Sequence, residues 1–285
     1  VGRRGKDDGQ VNLKERLREA LLEDIGSGDV TSEALIPETD VSRGYFLAKE
    51  EGILCGVPFA LEVFRLLDPN LEEEIILKEG DRLLPWTVFL RIKGKTRAIL
   101  GGERVALNLL SHLSGIATRT NNFVRIIQGT KAKILDTRKT TPLWRDLEKY
   151  AVRTGGGQNH RMGLFDMALI KDNHIRAKGG IKEALKSARE NLRPGVKVEI
   201  EVTNFEEFLE ALEGNPDWIM LDNMPPSEIR KCVEKGKGKV ILEASGGITE
   251  ENIREIAETG VDYISLGALT HSVKALDISL ELEEN

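Results

Sequence analysis

Apolar positions at Leu13, Leu17, Ala20 and Leu21 recur at helical spacing. Asn12-Leu13-Lys14-Glu15 reads as a capping box in front of them, and Gly26-Ser27-Gly28-Asp29 predicts the stop. From about residue 41 to 100 the period shortens. Gly44–Ala48, Glu74–Leu77 and Trp86–Ile92 read as strands, with one helix near Pro58 to Leu67 between them. This stretch predicts an α+β unit with a largely antiparallel sheet. Beyond Gly101-Gly102, the positions Val105, Leu109, Leu113, Ile116, Ala117, Val124 and Ile127 share one face of a long helix. Strand-like runs then recur at Ala132–Thr137, Met167–Lys171, Val196–Val202, Trp218–Asp222, Lys239–Ala244 and Val261–Leu266. Amphipathic helices at Ile181–Asn191, Asn204–Glu213 and Glu250–Thr259 separate the later ones. The steps Lys171 to Glu201 to Asp222 to Ser245 to Ser265 are 30, 21, 23 and 20 residues, the length a βα unit needs. A series of them predicts a parallel sheet, either a barrel or an open doubly wound one.

The polar residues fall in an informative place. In Val196–Val202 the apolar side chains share one face, and Lys197, Glu199 and Glu201 take the other. A solvated antiparallel strand has this pattern too. A parallel strand is normally buried on both faces, so charges there demand partners, a ligand or a metal. Ligands of α/β sheets and barrels sit at the C-terminal ends of strands. Thr137-Arg138-Lys139, Lys171, Glu201, Asp222, Glu243/Ser245 and Ser265 stand at such ends. Arg138, Lys139, Arg161 and Lys171 are cationic, His160 joins them if protonated, and Glu201 and Asp222 are anionic. Together they suit an anionic substrate with a divalent metal held by carboxylates. Ser245-Gly246-Gly247 and Leu266-Gly267-Ala268 follow the last two strands, where glycine lets backbone N–H groups approach a phosphate.

Composition narrows the class. With 41 Lys+Arg against 47 Asp+Glu the net charge is −6, which argues against a nucleic-acid partner. The uncharged stretch from Val105 to Thr118 is too short to cross a bilayer, so no membrane partner is expected. Residues Val1 to Asp8 lack the apolar core of a signal peptide, and two cysteines in unrelated contexts give no disulfide framework; a cytoplasmic protein is the expectation. Gly155-Gly156-Gly157 lacks the spacing of a P-loop or dinucleotide fingerprint. His112 reads as a core residue, and His174 suits a loop or a site equally.

Taken in order, several segments resemble the quinolinate phosphoribosyltransferase family. They include Glu23–Thr31, Gly102–Asn108, Asp136–Pro142, Gly155–Arg161, Leu169–His174, Glu199–Val202, Met220–Asn223, Glu243–Ile248 and Ser265–His271. One departure is visible: after Pro142 the family pattern has glycine, whereas Leu143-Trp144 precede Arg145 here. The resemblance implies an N-terminal α/β sandwich (1–104, with a strand returning at 275–285) and an incomplete parallel α/β barrel (105–274). It implies phosphoribosyl transfer from phosphoribosyl pyrophosphate to quinolinate with decarboxylation, in a homodimer whose sites are completed by the neighbour; a hexamer of such dimers is left open. On this reading Arg104, Arg138, Arg161 and Lys171, with His160 nearby, bind the dicarboxylate. Lys139 neutralises pyrophosphate, Glu201 and Asp222 anchor Mg²⁺, and Thr137, Ser245-Gly246-Gly247 and Ser265-Leu266-Gly267-Ala268 bind the donor. A nicotinate-type transferase without decarboxylation and a silent phosphate-binding protein are the alternatives.

Overall fold

The computed structural model describes residues 12–284, so the reading of residues 1–8 lies outside the described part. Two compact units emerge, residues 1–118 with 273–285, and residues 119–272. The sequence reading divided the chain at 104/105 and 274/275.

In the first unit, α1 (Leu13–Ile25) is capped by Asn12, whose side chain accepts the Lys14 N–H, and ends at Gly26 in a left-handed conformation, φ 57°. Next come α2 (Val30–Leu35), β1 (Val41–Ala48), β2 (Gly52–Ile53), α3 (Val57–Leu67), β3 (Glu72–Ile75), β4 (Arg82–Leu83) and β5 (Thr87–Lys95). The long helix α4 (Thr96–Ile126) runs without a break through residue 104. The last strand, which closes the chain as Ile278–Leu282, pairs antiparallel with β1, as the alternation of Leu276, Ile278 and Leu280 predicts. The sheet is antiparallel throughout, with that strand at one edge, then β1, β5 and β3. Alternate residues of β1 turn Phe46 and Ala48 inward, and Phe46 packs on Phe64 of α3 and Phe89 of β5 at 5.9 and 6.0 Å.

The second unit holds β6 (Lys133–Leu135), α5 (Arg145–Thr154), β7 (Met167–Ile170), α6 (Asp172–Lys178), α7 (Ile181–Asn191), β8 (Lys197–Val202), α8 (Phe205–Glu213), β9 (Trp218–Asp222), α9 (Pro226–Gly236), β10 (Ile241–Ser245), α10 (Ile253–Ala257), β11 (Tyr263–Ser265) and α11 (Ala268–His271); the returning strand of the first unit is then β12. Every strand pair in this unit is parallel, in the order β6-β11-β10-β9-β8-β7. That order is cyclic with one seam, between β6 and β7, so the sheet is a barrel left open. Along the seam β6 has only a single bridge, Leu135 to Gln158. Strand β8 decides the ambiguity of its polar face. Val198, Glu199 and Ile200 are all buried, so water covers neither side. The sequence pattern missed α5, α6 and α9 and made the tenth helix too long.

Leu143 occupies the position where the family pattern has glycine, and its φ is +69°. The glycine-like backbone is kept by a residue with a Cβ, at a cost of about 1–2 kcal/mol. Its side chain is exposed.

Candidate active site

The C-terminal ends of all six parallel strands open into one cavity of about 750 Å³. Its wall includes Thr137, Arg138 and Lys139 after β6, Lys171 after β7, Glu201 on β8 and Asp222 on β9. Ser245, Gly246 and Gly247 follow from β10, and Ser265, Leu266, Gly267 and Ala268 from β11. His160 and Arg161 enter from the segment before β7. Of the residues singled out in the sequence, all but Arg104 meet here; Arg104 is exposed on α4 in the first unit. His174 serves structure instead, its Nδ1 accepting the Lys171 backbone N–H at 3.0 Å at the start of α6.

Arg138, Lys139, Arg161 and Lys171 bring positive charge to the wall. Burial, and the positive charge of Arg138 close by, make Arg161 less basic than usual. Two guanidiniums facing one space await an anion. Arg161 Nη1 donates to the Met167 carbonyl at 3.0 Å, which fixes the fork. Arg145, from α5, donates to Thr140 Oγ1 and to the carbonyls of Met162 and Arg138, tying together the loops on either side of the cations. Burial alone would raise the Asp166 carboxyl, but the N–H groups of Met162 and Gly163, with Arg161, hold it low.

Glu201 and Asp222 bring negative charge to the same wall. Burial and the neighbouring Asp222 carboxylate push Glu201 up, and Lys171 Nζ stands 4.0 Å from Glu201 Oε2. Two adjacent carboxylates whose charges repel are a suitable oxygen donor set for Mg²⁺. The glycine loops close the ring. Gly246 and Gly247 have φ of +86° and +62°, and a Cβ on Gly246 would meet the Asn223 amide at 2.5 Å. A Cβ on Gly267 would press on Lys139 Cδ at 2.8 Å, and Thr270 Oγ1 donates to the Lys139 carbonyl at 2.8 Å. Ser265 Oγ is buried without a partner among the described residues.

Beneath the pocket lies chemistry that sequence reading missed. Asp136 and Lys149 are completely buried and paired. Lys149 Nζ also donates to the His160 carbonyl at 3.1 Å, and Asp136 accepts the His160 N–H at 2.8 Å and the Asn159 side chain. Burial pushes the Asp136 carboxyl up and the Lys149 ammonium down in spite of their pairing. Such a pair is retained for geometry rather than for net stability. Removing one partner is costly all the same. Lys149→Met is expected to lower the unfolding free energy in urea by about 3–5 kcal/mol, because Asp136 stays buried and uncompensated. A loss under about 1 kcal/mol would mean that the pair does not hold this segment.

The second missed group is His160 with Glu199 and Glu243. The two glutamates are fully buried and the imidazole is 8% exposed. His160 Nε2 lies 2.9 Å from Glu199 Oε2 and 3.2 Å from Glu243 Oε2. Its Nδ1 accepts the Arg161 backbone N–H at 2.7 Å. Both ring nitrogens therefore face protein groups rather than the cavity. Burial opposes a charged ring, but the two carboxylates outweigh it and hold its proton up to about 10. A charged ring would need a proton on Nδ1 as well, where the Arg161 N–H is directed, so in this geometry the ring is the neutral tautomer with its proton on Nε2, in spite of that pull. Burial and Glu243 raise Glu199 to about 7. Trp218 stands edge-on to the imidazole at 6.0 Å and stacks on Tyr263 at 4.7 Å, filling the barrel below.

Comparison with known proteins identifies the family. Residues 29–114 match the model of the quinolinate phosphoribosyl transferase N-terminal domain, and residues 116–281 that of its C-terminal domain. A Bacillus subtilis protein whose name reads "Probable nicotinate-nucleotide pyrophosphorylase (carboxylating)" is 47% identical over 95% of this chain and 94% of its own. A Nicotiana glauca protein named quinolinate phosphoribosyltransferase (decarboxylating) 2, mitochondrial, is 44% identical over 95% and 82%. The solved structure of the nicotinate-nucleotide pyrophosphorylase from Francisella tularensis superposes with a TM-score of 0.91 at 44% identity, over 95% of this chain and 96% of that one. With both domain models in order and relatives this similar along nearly its whole length, the chain belongs to the quinolinate phosphoribosyltransferase family.

Proposed function

We propose that this pocket joins quinolinate to phosphoribosyl pyrophosphate and releases carbon dioxide, giving nicotinate mononucleotide and pyrophosphate. The observation that carries the reading is the single ring of strand ends, whose one cavity is lined both by Arg138, Lys139, Arg161 and Lys171 and by the carboxylates of Glu201 and Asp222. Quinolinate is a dianion, and Arg138, Arg161 and Lys171 pair with its two carboxylates, holding the ring nitrogen toward C1′ of the donor. Arg104 of a second copy completes that set. His160 shapes the wall with the carbon edge of its ring, since its nitrogens are engaged. The donor's 5′-phosphate lies against Ser245-Gly246-Gly247 and Gly267-Ala268, with Thr137 and Ser265 beside it, and Lys139 meets the leaving pyrophosphate.

Glu201 and Asp222 are the residues that would hold Mg²⁺, directly or through water. An ion held there would supply positive charge for the departing pyrophosphate. The ring nitrogen forms a bond to C1′ as the C1′–O bond to pyrophosphate breaks with its electron pair. Glu201 and Asp222 favour the positive charge that develops at C1′. The product of transfer is a quaternary pyridinium. Its positive nitrogen lowers the energy of the carbanion left at C2 when the C2 carboxylate departs as carbon dioxide, and C2 then takes up a proton. Transfer therefore precedes decarboxylation. No helix among the described residues is long and apolar enough to cross a membrane.

The direct test supplies quinolinate, the donor and Mg²⁺ and follows nicotinate mononucleotide together with carbon dioxide. Equal molar amounts of both are expected. Nucleotide formed from nicotinate and none from quinolinate would move the chain to the non-decarboxylating alternative. Binding of the donor without turnover would leave a phosphate-binding protein.

A further inference from the structure

The segment from Gln158 to Arg161 crosses the open seam of the barrel, where a single bridge replaces a strand ladder. Arg161 nevertheless needs a fixed direction to meet a flat dicarboxylate. Asp136 and Lys149 grip the segment from the β6 side, through the His160 N–H and carbonyl. From inside the barrel the grip is the imidazole. Its Nδ1 takes the Arg161 N–H, and its Nε2 stands 2.9 Å from a carboxylate oxygen of Glu199 on β8 and 3.2 Å from one of Glu243 on β10, polar contacts without the alignment of a hydrogen bond. Neither carboxylate reaches solvent, and Trp218 makes a T-shaped contact with the ring.

We propose that Glu199 and Glu243 are positioning residues for the dicarboxylate substrate: acting through His160, they set the backbone of Arg161 and so the guanidinium that faces Arg138. This rests on the reading of the pocket given under the proposed function. The three ligating atoms also lie within 4.8 Å of one another, the spacing of a metal site. Histidine bound to a metal through Nε2 keeps its proton on Nδ1 and donates it outward. Here Nδ1 accepts a hydrogen bond from the Arg161 backbone N–H, so the ring's own proton is on Nε2, beside the two carboxylates.

Glu199→Gln and Glu243→Gln, singly and together, keep the side-chain volume and remove the charge. KM for quinolinate in the double variant is expected to rise about tenfold, while KM for phosphoribosyl pyrophosphate changes less than about twofold. Arg161→Ala raises the same constant, and adding the glutamine pair to it brings little more, because both act through one group. Equal changes in both KM values, or full additivity with Arg161→Ala, would overturn the proposal. So would a stoichiometric metal ion in the purified enzyme that Glu199→Gln loses. Should the double variant fail to fold, the ¹⁵N signature of His160 in the unaltered protein decides. A neutral ring protonated on Nε2, with Nδ1 unprotonated, is expected, and either an imidazolium or a ring protonated on Nδ1 would contradict it. Wild-type protein without turnover would fail the functional reading. An active enzyme whose quinolinate KM is unmoved by the glutamine pair would fail this one alone.

Discussion

Arg104→Ala and Lys171→Ala, each expected to lower turnover by about 10²–10³-fold as single charged contacts to a reacting dianion, should restore one another when mixed. Lys171 stands at the end of β7 in the pocket wall, and Arg104 is exposed on α4 in the first unit. If the proposed dimer donates Arg104 across its interface, a mixed dimer carries one site with both lesions and one with neither. Random exchange makes half the dimers mixed, each with half its sites intact, so about a quarter of full activity should return. The measurement is turnover after verified subunit exchange. No recovery would mean that each subunit supplies its own residues and that the dimer has no part in the chemistry.

The second large effect concerns the carboxylates. Glu201→Ala and Asp222→Ala are each expected to cut kcat by about 10²–10³-fold, with much less effect on quinolinate binding. Glu201 is half-buried beside Asp222, and burial with that neighbouring charge raises the cost of its own; a divalent cation removes that repulsion. The double variant should lose less than the product of the single losses, since both serve one ion. Turnover against Mg²⁺ concentration checks the assignment. A variant that keeps the wild-type metal dependence would free these carboxylates from the role.

Much of this site was legible because strands of a parallel barrel are short and end abruptly. Lys171 and Asp222 each close a run of apolar residues, Glu201, Ser245 and Ser265 stand at the ends of strand-like runs, and topology alone then brings them together. The antiparallel return of Ile278–Leu282 was legible in the same way, by period two. What the sequence concealed was depth. Glu199 and Glu201 alternate on one face of β8, yet Glu201 faces the cavity while Glu199 is sealed below it. Nothing in the local pattern separates them, since depth along a barrel axis depends on where neighbouring strands begin. Lys149 was concealed for another reason. On an amphipathic helix such as Arg145–Thr154, a lysine reads as solvated surface, and only its encounter with Asp136, thirteen positions earlier, buries it. Leu143 shows the converse: the departure from a glycine pattern was visible, but not that the left-handed backbone survives it.

The pairing of β12 with β1 has a consequence for how the protein is made. The four-stranded sheet of the first unit takes its last strand from the end of the chain, after the whole second unit. During synthesis, β1 leaves the ribosome with one flank unpaired, and at ordinary elongation speeds it waits on the order of 10–40 s for its partner. An open strand edge invites other nascent chains over that interval. Any shortening that removes Ile278–Leu282 would make the exposure permanent, so insolubility, more than loss of catalysis, is the first expected symptom of such a truncation.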